Sequence, residues 1–255
     1  MQRARRLAST AVVAVLAIGG LSACRSEPDV AAYLGDGKTI AEDRVEAIYN
    51  EARFELTRSR KQVQQQDTTG ASAAAVPPVE VPFKQKDVLN ALLSVDVLEQ
   101  AAVAAGVQAA SEPTVEQIAQ ASSYSPNWLY TKLYARTYQL RSALLPKVTP
   151  APLTDADLRP VYERLLAGGA GEATSYEQFK SQLSDQNKQA LQQSLGLRNA
   201  LAKIIEEDAI KTNPRYGDQQ LVLLSAQLES GNVPLVEVPF VSAGASEAPF
   251  VTDVS

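Results

Sequence analysis

Few residues in this chain have side chains suited to chemistry, and the first of them is a thiol. Cys24 is the only cysteine among 255 residues, and there is no histidine. It follows Leu21-Ser22-Ala23, which end an apolar run that begins at Leu7; ahead of that run, residues 1–6 read MQRARR, with three arginines and no acid. A basic start, a short apolar stretch and small residues are the three parts of an export signal, and the stretch is too short for a comfortable membrane span. A lone cysteine on an exported chain is an odd thiol wanting a partner. Without histidine there is no Ser-His-Asp arrangement, no Cys-His pair and no imidazole metal ligand. Neither standard glycine-rich phosphate loop occurs. The carboxylates sit singly, and IIEEDAI at 204–210 reads as the solvated side of a helix, because adjacent helical residues point in different directions. No catalytic residue, metal or cofactor is expected, and the protein is not expected to be an enzyme.

The leader resembles a bacterial lipobox, in which the cysteine takes a diacylglycerol group and the chain is cut before it. The resemblance implies a signal peptide over 1–23, a lipid anchor on Cys24 and a tether over 24–28. It places the protein on the extracytoplasmic face of a bacterial membrane. The alternatives are an ordinary secretory signal with an incidental cysteine, or an uncleaved anchor. Removing residues 1–23 takes away three arginines and no acid, leaving 21 basic and 29 acidic residues, net −8. That balance argues against nucleic acid as a partner and against electrostatic docking onto anionic lipid, so acyl chains would do the holding. With no disulfide possible, packing alone must stabilise the fold.

A second candidate group is aromatic. After Trp128, the residues Tyr130, Tyr134 and Tyr138 recur every four positions and form one stripe on a helix over 128–145. One reading buries the stripe against another helix; the other has part of it lining a groove for extended apolar peptide.

The elements that must carry these residues are mainly helical. VAAYL at 30–34 reads as a strand ended by a GDG turn, and Thr39 with Glu42 as a capping box opening a helix over 40–59. Residues 62–82 have linker composition. Helical spacing returns over 83–105, stopped by Gly106, and again over 115–121 behind a Thr114–Gln117 capping box. Thr154 caps a helix to about 166, and Ser175 with Gln178 opens a long helix over 176–211. A turn at Asn213-Pro214 leads into a strand over 220–224, and the Pro-, Gly- and Ser-rich remainder over 226–255 predicts a disordered tail. Two strands at opposite ends of one domain are expected to pair, closing it.

That order resembles SurA-type and trigger-factor-like chaperones. The helix start IAEDRV, the segment DVLNALLSVDVLEQAAVAAGV and the closing KTNPRYGDQQLVLL are similar to their N-terminal domain and C-terminal segment. The resemblance covers residues 30–224, apart from the linker, and NPRYG is its most specific motif. The parvulin isomerase domain that such proteins often insert is missing. The resemblance therefore implies a helical domain over 29–225 with a crevice for unfolded exported polypeptides and no isomerase activity. Trp128, Tyr130, Tyr134 and Tyr138 are the peptide-binding candidates. A structural or adaptor lipoprotein docking one envelope protein is the alternative, and a degenerate prolyl isomerase the third. Neither nucleic acid nor a small-molecule substrate is expected.

Overall fold

In the computed structural model, residues 29–67, 79–170 and 175–241 are described; Cys24, its leader and its tether lie outside them. Two strands open the described chain: β1 (Val30–Tyr33) and β2 (Thr39–Ala41), antiparallel, with Tyr33 opposite Thr39 and Val30 opposite Ala41. The GDG turn between them holds Asp36 and Gly37 at positive φ. Seven helices follow among the described residues: α1 (Glu42–Asp67), α2 (Gln85–Ala105), α3 (Val115–Ser122), α4 (Leu129–Leu144), α5 (Asp155–Ala167), α6 (Tyr176–Gln182) and α7 (Asp185–Asp208). Then come β3 (Lys211–Thr212), a 3₁₀ turn over Pro214–Tyr216, β4 (Gln220–Leu228) and β5 (Gly231–Pro239). The mainly helical architecture is as the sequence reads.

Capping residues mark four of the helix ends as the sequence reads. Thr114, Thr154 and Ser175 each accept a hydrogen bond from the backbone N–H three residues on, and Gly106 ends α2 in the left-handed conformation. The exception is Thr39. It lies in β2 rather than at a helix N-cap, because β1 folds back through the GDG turn and claims it as a strand partner. α1 also runs on through Asp67, eight residues past the expected end and into the expected linker. The single long helix expected over 176–211 is two: Leu183 is extended, and Ser184 caps α7 by accepting from the Asn187 N–H at 3.2 Å. A serine that can satisfy a fresh helix start competes with continuing the old one.

Pairing of the two chain ends does occur, but through different residues. β3 adds to β1, with Ala32 opposite Thr212 and Tyr33 opposite Lys211, giving the order β2-β1-β3. β4 instead forms a hairpin with β5 across the two-residue turn Glu229–Ser230, with Leu228 opposite Gly231. Residues 231–239, expected in a disordered tail, are therefore a strand. A two-residue turn closes a much shorter loop than a pairing with β1, some 190 residues away, would need.

α2 forms the centre of the core. Ten of its residues are buried, and it packs on α1, α4, α7 and β4. It is long and apolar enough to cross a membrane by length and composition, and here that apolarity is spent on core contacts. The hairpin closes the other side: Leu221, Leu223, Val236, Val238 and Phe240 join the same core cluster.

Candidate functional site

The tyrosine stripe divides into a buried half and an open half. Trp128 and Tyr130 are 3% and 7% exposed. Both pack on Phe83, whose ring stacks on Tyr130 at 3.9 Å and meets Trp128 and Tyr124 edge-on at 5.9 and 5.8 Å. Tyr49 of α1 also meets Phe83 edge-on, with ring centroids 6.2 Å apart. Phe83 thus pins α1, the start of α2 and the start of α4 to one another. Such offset and edge-on pairs add stabilisation beyond the area they bury.

Tyr134 and Tyr138 are only half-buried, and they emerge from this cluster into a cleft. The rings continue in line, Tyr130 to Tyr134 at 6.2 Å and Tyr134 to Tyr138 at 5.1 Å, and the last two hydroxyls lie 3.2 Å apart. Arg141 completes the series with its guanidinium carbon 4.4 Å from the Tyr138 ring centre. The cleft holds about 260 Å³ between α2, α4 and the β4–β5 hairpin, with Tyr130, Tyr134 and Tyr138 along one wall and Val222, Ser225 and Pro234 along the other.

Side chains fix the hairpin in place against the two helices. Asn90 Nδ2 donates to the Gln220 carbonyl at 2.9 Å, and Arg141 Nη1 donates to the Val222 carbonyl at 3.1 Å. Those two carbonyls on the cleft side of β4 are therefore occupied. Ser94 donates to Asn90 Oδ1 at 3.2 Å and orients that amide. Burial raises the Tyr130 phenol well above its ordinary value, with Tyr124 and Asp87 adding to the effect. Burial and the hydrogen bond to Tyr138 do the same for Tyr134. Both phenols stay neutral at any physiological pH, each a hydroxyl that can donate or accept.

The cleft thus offers aromatic faces, neutral hydroxyls and two charged groups, Asp87 and Arg141. Its one aliphatic hydroxyl near the tyrosines with a side-chain partner, Ser94, donates to an amide rather than to a base. Of the four sequence candidates, Tyr134 and Tyr138 face the cleft, Tyr130 contributes to both core and cleft, and Trp128 is core. Periodicity could not reveal Phe83, Tyr124 or the hairpin wall, which come from other elements. Arg141 was within reach of a sequence argument, since it stands three residues after Tyr138 on the same helix. The IIEEDAI segment spans the end of α7: Glu206 and Glu207 are exposed, and Asp208 accepts from Gln100 Nε2 at 2.6 Å. No family model, curated protein or solved structure matches the chain.

Proposed function

We infer that this protein is a lipid-anchored, extracytoplasmic, chaperone-like binder of extended segments of exported polypeptides, working by reversible capture and without isomerase chemistry. The observation that supports this reading best is the aromatic cleft. Tyrosine presents a large, stiff contact surface at low entropic cost, and its hydroxyl adapts to donors and acceptors alike. The volume, about 260 Å³, falls below the roughly 300–1,000 Å³ of an ordinary small-molecule pocket. It suits the side chains of a passing segment better than an enclosed ligand. Outside a membrane there is no ATP, so capture must be weak and reversible, and an anchor on Cys24 would raise the local concentration near emerging chains. The net charge of −8 after the leader favours solubility.

A photo-crosslinking residue at Tyr134 of the anchored full chain tests this in living cells. A broad set of exported proteins, caught early after translocation, is expected. No captured protein, with the chain folded, overturns the cleft as a client site. One dominant partner would replace the chaperone with an adaptor. Exposed apolar residues give that second reading its own surface: Phe54 is 71% exposed on α1, and Leu129, at the start of α4, is 41% exposed with its N–H on Glu51 Oε2 at 3.1 Å.

A further inference from the structure

A second recess opens beside the start of α2, away from the client cleft. Tyr49 and Tyr216 form its walls, and Lys84, Lys86 and Arg215 line it with Gln85, around about 560 Å³. Lys84 and Lys86 flank the first residue of a 21-residue helix, so the positive end of the helix dipole adds to their charge. Asp87 offsets part of that dipole by accepting from the Lys84 N–H at 2.8 Å. Among the described residues neither lysine is ion-paired, whereas Arg215 is held by Glu42 and also feels Glu46. A chain that is acidic as a whole therefore presents two uncommitted cations beside the half-buried Tyr49 at one place.

The position of the recess identifies what would fill it. Glu42, which holds Arg215 at the rim, donates its backbone N–H to the Asp29 carbonyl at 2.8 Å. Asp29 begins the described chain, and Cys24 is five residues earlier. Five residues reach at most about 18 Å. An acyl group on Cys24 therefore keeps this corner of the molecule close to the lipid surface. A half-buried tyrosine such as Tyr49, next to lysines, is a side chain that settles at a bilayer interface, whereas Tyr216 offers only part of its ring because Glu42 holds its hydroxyl.

From these observations we propose that the recess lined by Tyr49, Lys84, Lys86, Arg215 and Tyr216 binds the phosphodiester headgroup of an anionic phospholipid. This rests on the reading of Cys24 as the anchor. The acyl chains hold the protein to the membrane and the recess orients it. Lys84 and Lys86 line the recess while Asp87 lines the cleft, so a bound headgroup would lie within about one helical turn of the Asp87 edge of the cleft. A segment emerging from the membrane would meet the tyrosines directly.

The test uses the full chain reconstituted in phosphatidylcholine vesicles with or without phosphatidylglycerol. A photo-crosslinking residue replaces Gln85, or, as control, Val103 near the far end of α2, which is 82% exposed. Mass spectrometry reads the adducts and, separately, the lipid on Cys24. The expected result is a phosphatidylglycerol adduct at position 85 and none at 103. Lys84→Ala and Lys86→Ala should each lower its yield about fivefold, in keeping with about one near-surface charge apiece. An equal yield at both positions, or insensitivity to both lysine substitutions with an unchanged melting temperature, overturns the headgroup site. So does competition by free inorganic phosphate that matches competition by phosphatidylglycerol, which would make the recess a simple anion site. If Cys24 carries no lipid while position 85 still collects phosphatidylglycerol, the anchor reading falls and the headgroup site stands. A lipidated Cys24 with no adduct at position 85 does the reverse.

Discussion

Glu42 is the side chain on which the two ends of the domain meet. It is 6% exposed, and its carboxylate receives Tyr216 Oη, Arg215 Nη2 and, at 3.3 Å, Asn213 Nδ2. The motif NPRYG, singled out in the sequence, thus supplies all three donors to one carboxylate that opens α1. Buried charge persists only when its oxygens are satisfied in this way. Tyr216→Phe removes one donor and leaves the ring in place, so it should destabilise the fold by about 1–2 kcal/mol in urea unfolding. An unchanged midpoint would mean that Arg215 and Asn213 suffice. The same tyrosine gives the protein an alkaline limit. Burial, reinforced by the Glu42 carboxylate and opposed by Arg215, pushes the Tyr216 phenol up to about 12, and Tyr130 and Tyr134 are also raised. Below pH 10 these phenols are protonated in folded and unfolded chains alike, and their contribution to stability is fully present. Above it the unfolded chain loses protons that the folded chain keeps, so stability falls as pH rises from 10 through 12. Thermal melts across that window, with the part of the tyrosinate absorbance that Tyr216→Phe removes followed alongside, should show unfolding and that ionisation together. If the Tyr216 part of that absorbance appeared well before unfolding, it would contradict the assignment.

Helices and the strands at 30–34 and 220–224 are legible because their signals are local, whereas the partners of the strands are not. The capping residues Thr114, Thr154 and Ser175 act within three positions of themselves, and the stripe at 130, 134 and 138 needs only one helix to be visible. Pairing of β1 with β3 is decided across about 180 residues, and no window contains both partners. β5 was missed for a compositional reason. Its Gly231, Pro234 and Pro239 resemble a disordered tail, yet Val236, Val238 and Phe240 alternate inward at period two. For the same reason half of the cleft was legible and half was not: the α4 wall lies in one stretch of sequence, the hairpin wall in another. Close approach between elements was equally invisible. Gly196 lies within α7, where a Cβ would stand 2.3 Å from the Thr149 carbonyl oxygen, and the neighbouring Ala151 N–H donates to Gln192 O at 2.9 Å. Gly196→Ala gains about 1 kcal/mol of helix propensity. It also pushes the 149–151 backbone away, an overpacking cost of about 1–3 kcal/mol that breaks the Ala151 bond as well. The net effect should be a lower melting temperature, and a higher one would show that the segment can move aside freely. At the cleft, Arg141→Ala removes both the donor to Val222 and the cation over Tyr138. Amide exchange should quicken in β4 while α2 keeps its protection; uniform protection would mean that Asn90 alone fixes the hairpin.

For the whole molecule, the question is whether the β4–β5 hairpin is an appendage or a wall of the core. β5 packs on α5 and α7, Arg164 donates to the Leu235 carbonyl at 2.9 Å and pairs with Glu237 at 2.8 Å, and the Phe240 N–H donates to Gln219 O at 3.0 Å. Phe240 is fully buried, and Val236 and Val238 are each 2% exposed. Burying side chains of this size contributes roughly 1.5–3 kcal/mol each. Three of them together are comparable with the whole net stability of an ordinary domain, about 5–15 kcal/mol. Ending the chain after Leu228 would remove all three, uncover Leu221 and Leu223 on β4 and take away one wall of the cleft. Such a chain should lose its cooperative thermal transition or melt far below one ending after Val241, which retains every described contact. Circular dichroism melts of the two would decide it. If the shorter chain melted at the same temperature, the hairpin would be an appendage, the helices alone would make the core, and the cleft would need a different second wall. If it unfolds as expected, the cleft and the fold depend on the same few residues at the end of the described chain. Destabilising the hairpin would then abolish the crosslinks proposed for position 134 even with every other tyrosine intact.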